Sequence, residues 1–150
     1  MLNPQPIEKT KVSLASRVFS ESTRNALQFY VKNGFSNWEG TLNFLNLISK
    51  WWDMLNVKTP NEGYHKRNPN LDKINQNNYD NMSNFFSKLL SWIEEWRSSG
   101  KSGLSNPTFK SFCQTTQTMP LLVKHLLDDF HIDYVLTGKI QSDFLEKRFG

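Results

Sequence analysis

The chain reads as an all-α helical bundle. Apolar residues recur at steps of three and four along several long stretches, the spacing that gathers side chains on one face of a helix. No segment alternates apolar and polar convincingly with the period of two that a half-buried strand needs. Turn signals separate the periodic stretches: Asn33-Gly34, an asparagine-rich segment after Val57, and a Gly/Ser run near Gly100.

Residues 1–8 are expected to be an irregular leader. Residues 9–32 form the first expected helix, with Val12, Ala15, Phe19, Ala26 and Tyr30 on one stripe. Asn33-Gly34 ends it, because both residues tolerate positive φ. Ser36 and Glu39 then make an S-x-x-E capping box, which predicts a second helix starting on Asn37 or Trp38.

That second helix, running to Val57, is the centre of the expected bundle. Leu42, Leu45, Ile48, Trp52 and Leu55 line one face, and Phe44, Leu47, Trp51 and Met54 fill an adjoining one. A helix apolar over most of its circumference belongs in the middle of a fold. One narrow polar stripe survives on it, made of Asn46, Ser49/Lys50, Asp53 and Asn56. Asp53 and Asn56 stand one turn apart and reach the same small volume. A carboxylate on a buried helix costs on the order of several kcal/mol unless something pairs with it. A neighbouring cation, a backbone donor or a ligand must therefore satisfy Asp53.

Residues 58–77 carry two prolines, a glycine and five asparagines without an apolar period, which predicts a long surface loop. His65-Lys66-Arg67 is its basic tip, read as solvated surface or as a phosphate contact. Residues 78–98 form the third helix, with Tyr79, Met82, Phe85, Phe86, Leu89, Leu90, Ile93 and Trp96 facing inward as core. After the Gly/Ser linker, residues 109–118 predict a short helix. Pro120 starts another over 121–130, since proline suits a first helical turn. Residues 134–139 read as a short apolar connection, and Ser142 as the N-cap of a last helix that the chain end interrupts.

The chain has 5 Trp and 11 Phe in 150 residues, so a core can be built from few large side chains, which argues against disorder. The net charge of +4 permits a polyanionic partner without demanding one. A single cysteine, Cys113, excludes an internal disulfide and fits a reducing compartment. No stretch approaches the ~20 apolar residues of a membrane span, and the first residues are too polar for a signal peptide. The expected compartment is intracellular.

Motif tests exclude several chemistries. Gly100-Lys101-Ser102 resembles the end of a phosphate-binding loop, but Glu95 stands where its first glycine belongs and a helix precedes it. His65, His125 and His131 lack cysteine or carboxylate partners at metal spacing. Cys113 reads as a small buried thiol. Asp128-Asp129 and Glu94-Glu95 read as solvated faces. Asp143 and Glu146, at i and i+3 in a first turn, share one side of a helix. They serve either the helix dipole or a divalent metal, and one turn cannot complete a metal site alone.

Three segments in order resemble the P-element-type DNA transposases and their THAP-domain relatives. They are KVSLASRVFSEST, FLNLISKWWDMLNVKTPNEGYHKR and LTGKIQSDFLEKRFG. The first is similar to the family's K-V-x-L-A-x-x-x-F-S-x-S helix. The second is similar to its F-x-x-x-F-D-x-L-N-S followed by a Gly-Tyr-Lys loop, and the third to its L-T-x-K-L-S-Q-D-x-L-E-x-F-F-G.

The resemblance implies that residues 1–136 are a helical GTP-binding insertion within an RNase H-like catalytic domain, and that residues 137–150 begin the following catalytic segment. It implies GTP as a cofactor for assembly on transposon DNA rather than as a fuel. Asp53 would read the guanine edge, Trp52 would lie beside the base, and Asn56 would complete the polar stripe. Lys11, Val12 and Ser20 would approach the nucleotide from the first helix, and Asp143 would be a second guanine-facing carboxylate. Glu146 matches the last acidic residue of the catalytic triad and would hold Mg²⁺ in the intact parent.

The chemistry is consistent with that assignment. Guanine N1–H and N2–H₂ are adjacent donors, which one carboxylate accepts bidentately as charge-assisted bonds.

The chain also departs from the family pattern. Lys147 and Arg148 replace apolar residues, Trp52 replaces a Phe, and the two earlier catalytic aspartates and the DNA-binding finger are absent. Alone it is not expected to cut or join DNA. A nuclear location, with self-association left open, follows from the same resemblance. The alternative is a truncated or host-retained helical interaction module, in which Asp53 is paired internally.

Overall fold

The computed structural model describes residues 16–100 and 103–141. They divide into two compact units, the boundary falling between Trp52 and Asp53.

In the first unit, residues 16–18 are helical and the backbone then turns, with the Ser20 N–H bonded to the Arg17 carbonyl at 3.1 Å. Ser20 is extended (φ −64°, ψ 153°), and its hydroxyl accepts the Thr23 N–H at 3.3 Å to cap helix α1, Glu21–Lys32. The single helix expected over 9–32 is therefore broken at Ser20. A serine that satisfies a free N–H of the next turn favours a non-helical backbone at its own position. The expected end holds: the Asn33 N–H and side-chain amide both donate to the Phe29 carbonyl, and Gly34 has φ +95°.

A 3₁₀ turn, Ser36–Trp38, leads into helix α2, Glu39–Leu55. The α-helix thus starts after the expected Asn37 or Trp38 and ends before Val57. No side-chain cap forms at Phe35, and the 3₁₀ turn takes the place of the expected first turn. In the first unit, Leu42, Leu45 and Ser49 of α2 are buried, whereas α1 buries no residue. The Ser49 hydroxyl donates to the Phe19 carbonyl at 3.2 Å. Trp52, expected on the inner face, is 54% exposed.

The second unit carries the larger core. Helix α3 is short, Glu62–Lys66, and is followed by a 3₁₀ turn, Pro69–Leu71. The expected surface loop is thus structured in its middle, with Leu71 and Ile74 buried. Two isolated apolar residues produce no period in the sequence, yet each finds the core. Helix α4, Tyr79–Ser98, matches the expected third helix and buries Met82, Phe86, Leu89 and Ile93.

Helix α5, Asn106–Asp128, packs against α4 and is continuous where two helices were expected. Ser105 caps it by accepting the Thr108 N–H, and Pro107 occupies the first turn. Pro120 lies inside it. An interior proline normally costs ~3 kcal/mol by removing a hydrogen bond and crowding the preceding turn. Here the proline is buried on the face that also buries Thr116, Val123 and Leu127, so packing offsets that cost.

The segment after α5 closes the unit. Ile74 and Val135 form an isolated antiparallel bridge, with N–H···O distances of 3.1 and 2.7 Å. Among the described residues no strand is formed, and the fold is all-α as expected. The fully buried Thr137 donates its hydroxyl to the Met54 carbonyl at 2.7 Å, while the same oxygen faces the Val57 N–H at 3.4 Å. Gly138 N–H donates to the Val57 carbonyl at 2.9 Å. The free carbonyls at the end of α2 are thereby satisfied by residues more than eighty positions later. Among the described residues, no helix is long and apolar enough to cross a membrane.

Candidate functional site

Asp53 sits in the last turn of α2, within the second unit. Its neighbours Met54 and Leu55 are buried, and this anchors the turn. Its carboxylate is half-buried rather than enclosed as expected. Oδ2 accepts a hydrogen bond from the Asn68 side-chain amide at 2.8 Å. Among the described residues, no lysine, arginine or histidine forms an ion pair with it. A carboxylate offers about four lone-pair positions, and one neutral amide occupies a single one. The remaining acceptor capacity is what a ligand with adjacent donors would use.

Asn68 is itself held in place. Its backbone N–H donates to the Gly63 carbonyl at 2.9 Å, and its Oδ1 accepts the Asn70 N–H at 3.0 Å. The residue caps the Pro69–Leu71 turn. Beside it lies an open hollow of about 590 Å³, bordered by Tyr64, His65, Arg67, Asn68 and Asp72. A Cβ on Gly63 would displace the Asp72 carboxylate from its present position.

Asn56 lies just past the end of α2, half-buried. Its Oδ1 accepts from Gln141 Nε2 at 3.0 Å, and the same nitrogen donates to the Leu55 carbonyl at 2.9 Å. Asp53 and Asn56 are thus one turn apart, and each meets a side chain from another part of the second unit. Gly138 approaches so closely that a Cβ would stand 2.9 Å from the Asn56 carbonyl carbon.

Glu62 shows the opposite environment. It accepts Lys58 N–H at 2.7 Å, Thr59 N–H at 3.4 Å and the Lys66 ammonium at 2.8 Å. Desolvation alone raises the carboxyl, but Lys66 and the two backbone donors outweigh it and hold it below the ordinary glutamate value. Cys113 is half-buried; burial pushes its thiol up, and the Glu94 charge adds to this. A raised thiol is a weak nucleophile. Among the described residues, no group of three His, Cys, Asp or Glu is placed to hold a metal ion.

The residues singled out from the sequence fall in three places. Asp53 and Asn56 lie in the second unit. Ser20 and Trp52 lie in the first, where the Ser20 hydroxyl already caps α1. Lys11, Val12, Asp143 and Glu146 lie outside the described residues. Sequence reasoning missed Asn68, Thr137 and Gln141. An Asn before Pro69 does mark a turn cap, but nothing in the sequence shows that its amide reaches back to Asp53.

Comparison with known proteins agrees with the resemblance read from the motifs. Residues 5–68 match the family model described as a TNP-like, GTP-binding insertion domain. This span includes Lys11, Val12, Ser20, Trp52, Asp53 and Asn56 and ends on Asn68, while Asp143 and Glu146 lie beyond it. Along 99% of its length the chain is similar to the Transposable element P transposase of Drosophila melanogaster, at 24% identity over 153 aligned positions. It spans 19% of that relative's length. No solved structure matches the chain.

Proposed function

We propose that this chain, which carries the GTP-binding insertion domain of the P-element transposase family, recognises guanine through the Asp53 carboxylate and supports nucleotide-dependent assembly on transposon DNA within a longer protein. The observation that carries this reading is the state of Asp53: half-buried, fixed by one neutral amide, and with no ion pair among the described residues. Two adjacent N–H donors on a purine edge complete such a carboxylate, and each hydrogen bond to a charged group is worth roughly 1.5–3 kcal/mol. Adenine presents an acceptor at N1 and is rejected by the same oxygens.

Around that contact, Asn56 extends the polar face, and the resemblance supplies the other roles. Trp52 lies beside the base, Lys11, Val12 and Ser20 meet the remainder of the nucleotide, and Asp143 adds a second guanine-facing carboxylate. The DNA chemistry belongs to the parent. There Glu146, with carboxylates outside this chain, would hold Mg²⁺, and the metal would supply activation of an attacking oxygen. The described residues provide no metal site, and no catalytic step is assigned to them.

Calorimetric titration of the chain with GTP and with ATP tests the reading, repeated with Asp53→Ala. Saturable GTP binding in clear preference to ATP, lost in the variant, supports it. Equal heats for the two nucleotides, or none, overturn it and favour the helical interaction module.

A further inference from the structure

We infer that Asn68 is a positioning residue for nucleotide recognition, setting the rotation of the Asp53 carboxylate so that both oxygens face the guanine edge. This rests on the guanine reading proposed above and extends it to a residue fifteen positions away on a different element.

The inference follows from how completely the Asn68 side chain is constrained. A backbone N–H can only donate, so the bond from Asn70 N–H at 3.0 Å identifies the acceptor end of the Asn68 amide as Oδ1. The NH₂ group is therefore on the opposite side, where it meets Asp53 Oδ2 at 2.8 Å. The Asn68 backbone is tied to the Gly63 carbonyl, so the amide cannot drift with the carboxylate. A terminal carboxylate rotates in a broad, shallow well. One fixed donor on Oδ2 turns that rotor into an oriented acceptor and still leaves lone pairs on both oxygens. The neutrality of Asn68 matters too. A lysine or arginine here would orient the carboxylate equally well while competing for its charge.

Orientation has a specific signature. Bidentate recognition needs both oxygens in the plane of the base, engaging N1–H and the 2-amino group together. Inosine triphosphate keeps N1–H and lacks the 2-amino group. A carboxylate locked in plane distinguishes GTP from inosine triphosphate, and one free to rotate does so poorly.

The experiment is calorimetry of the chain with GTP and inosine triphosphate, using Asn68→Ser, Asn68→Asp and Asp53→Ala, with circular dichroism melts alongside. Serine and aspartate both retain the turn cap that Asn68 supplies, so the fold is kept. Asn68→Ser is expected to weaken GTP by about tenfold, one charge-assisted bond's worth of order, and to weaken inosine triphosphate less, so that the preference between them collapses. Asn68→Asp puts a second carboxylate against the first and is expected to weaken GTP further. Unchanged GTP affinity and an unchanged preference in Asn68→Ser, with binding abolished in Asp53→Ala, overturn the inference and leave the guanine reading standing. Undiminished GTP binding in Asp53→Ala overturns both. Unfolding of both Asn68 variants makes Asn68 a residue of the fold alone and also overturns the inference.

Discussion

Two carboxylates nine residues apart are treated in opposite ways. Glu62 is close to saturated: a lysine ammonium and two backbone N–H groups close on it, and its charge pins the turn from Lys58 to Glu62. Asp53 is held by one neutral amide, half-buried, at the end of a helix whose last carbonyls are satisfied by Thr137 and Gln141. A saturated carboxylate has spent its acceptor capacity on the fold. An oriented but unsaturated one keeps it for a ligand. On the guanine reading proposed for Asp53, partner number and partner charge rather than burial would separate it from Glu62.

The contrast is broken most directly by exchanging which carboxylate is removed. Asp53→Ala is expected to lower GTP affinity by more than about a hundredfold, about 2.7 kcal/mol, with little change in melting temperature. Isothermal titration with parallel melts measures both, and a stability loss without an affinity loss would make Asp53 a carboxylate of the fold, like Glu62.

The platform under Asp53 comes next. Gly138→Ala places a Cβ 2.9 Å from both the Asn56 carbonyl carbon and the Lys58 side chain. It is expected to cost about 2 kcal/mol in denaturant unfolding, and to weaken GTP because Asn56 shifts. Thr137→Val keeps the shape but leaves the Met54 carbonyl buried without its donor. The expected cost is about 1.5 kcal/mol, read from the same unfolding curves.

Glu62→Gln is the smallest effect, under about 1 kcal/mol, and leaves GTP affinity unchanged. It also has a pH signature. A carboxyl held below its ordinary value contributes stability above the ordinary glutamate range, and that contribution is lost as pH falls through the lowered value. The melting difference between Glu62→Gln and the parent chain should be constant near neutral pH and shrink below about pH 4. A difference that grows on acidification would contradict the assignment.

Much of this was legible in the sequence, and the gaps have physical causes. Helices α1, α2 and α4 carry enough apolar period to be read directly, and Asn33-Gly34 marked its helix end. Helix α3 is five residues long and has no period to read. The continuity of α5 through Pro120 depended on tertiary packing, while its true start signal, Ser105 with Pro107, was available and overlooked. Asp53 stands out in the sequence by its place on an apolar helix, which predicts more burial than the structure shows, since its neighbour Trp52 is exposed and Asp53 itself is half-buried. Its partner Asn68, and the Thr137 and Gln141 contacts that close the same helix end, join segments between fifteen and eighty-six positions apart, which no local pattern reveals.

The most direct test of guanine-edge recognition by Asp53 uses altered bases against the unaltered chain. N1-methyl-GTP removes the central donor, whereas 7-deaza-GTP changes an atom on the far side of the purine and leaves the edge intact. A carboxylate reading that edge predicts that 7-deaza-GTP binds like GTP and that N1-methyl-GTP loses at least about tenfold. Equal affinity for GTP and N1-methyl-GTP would contradict it.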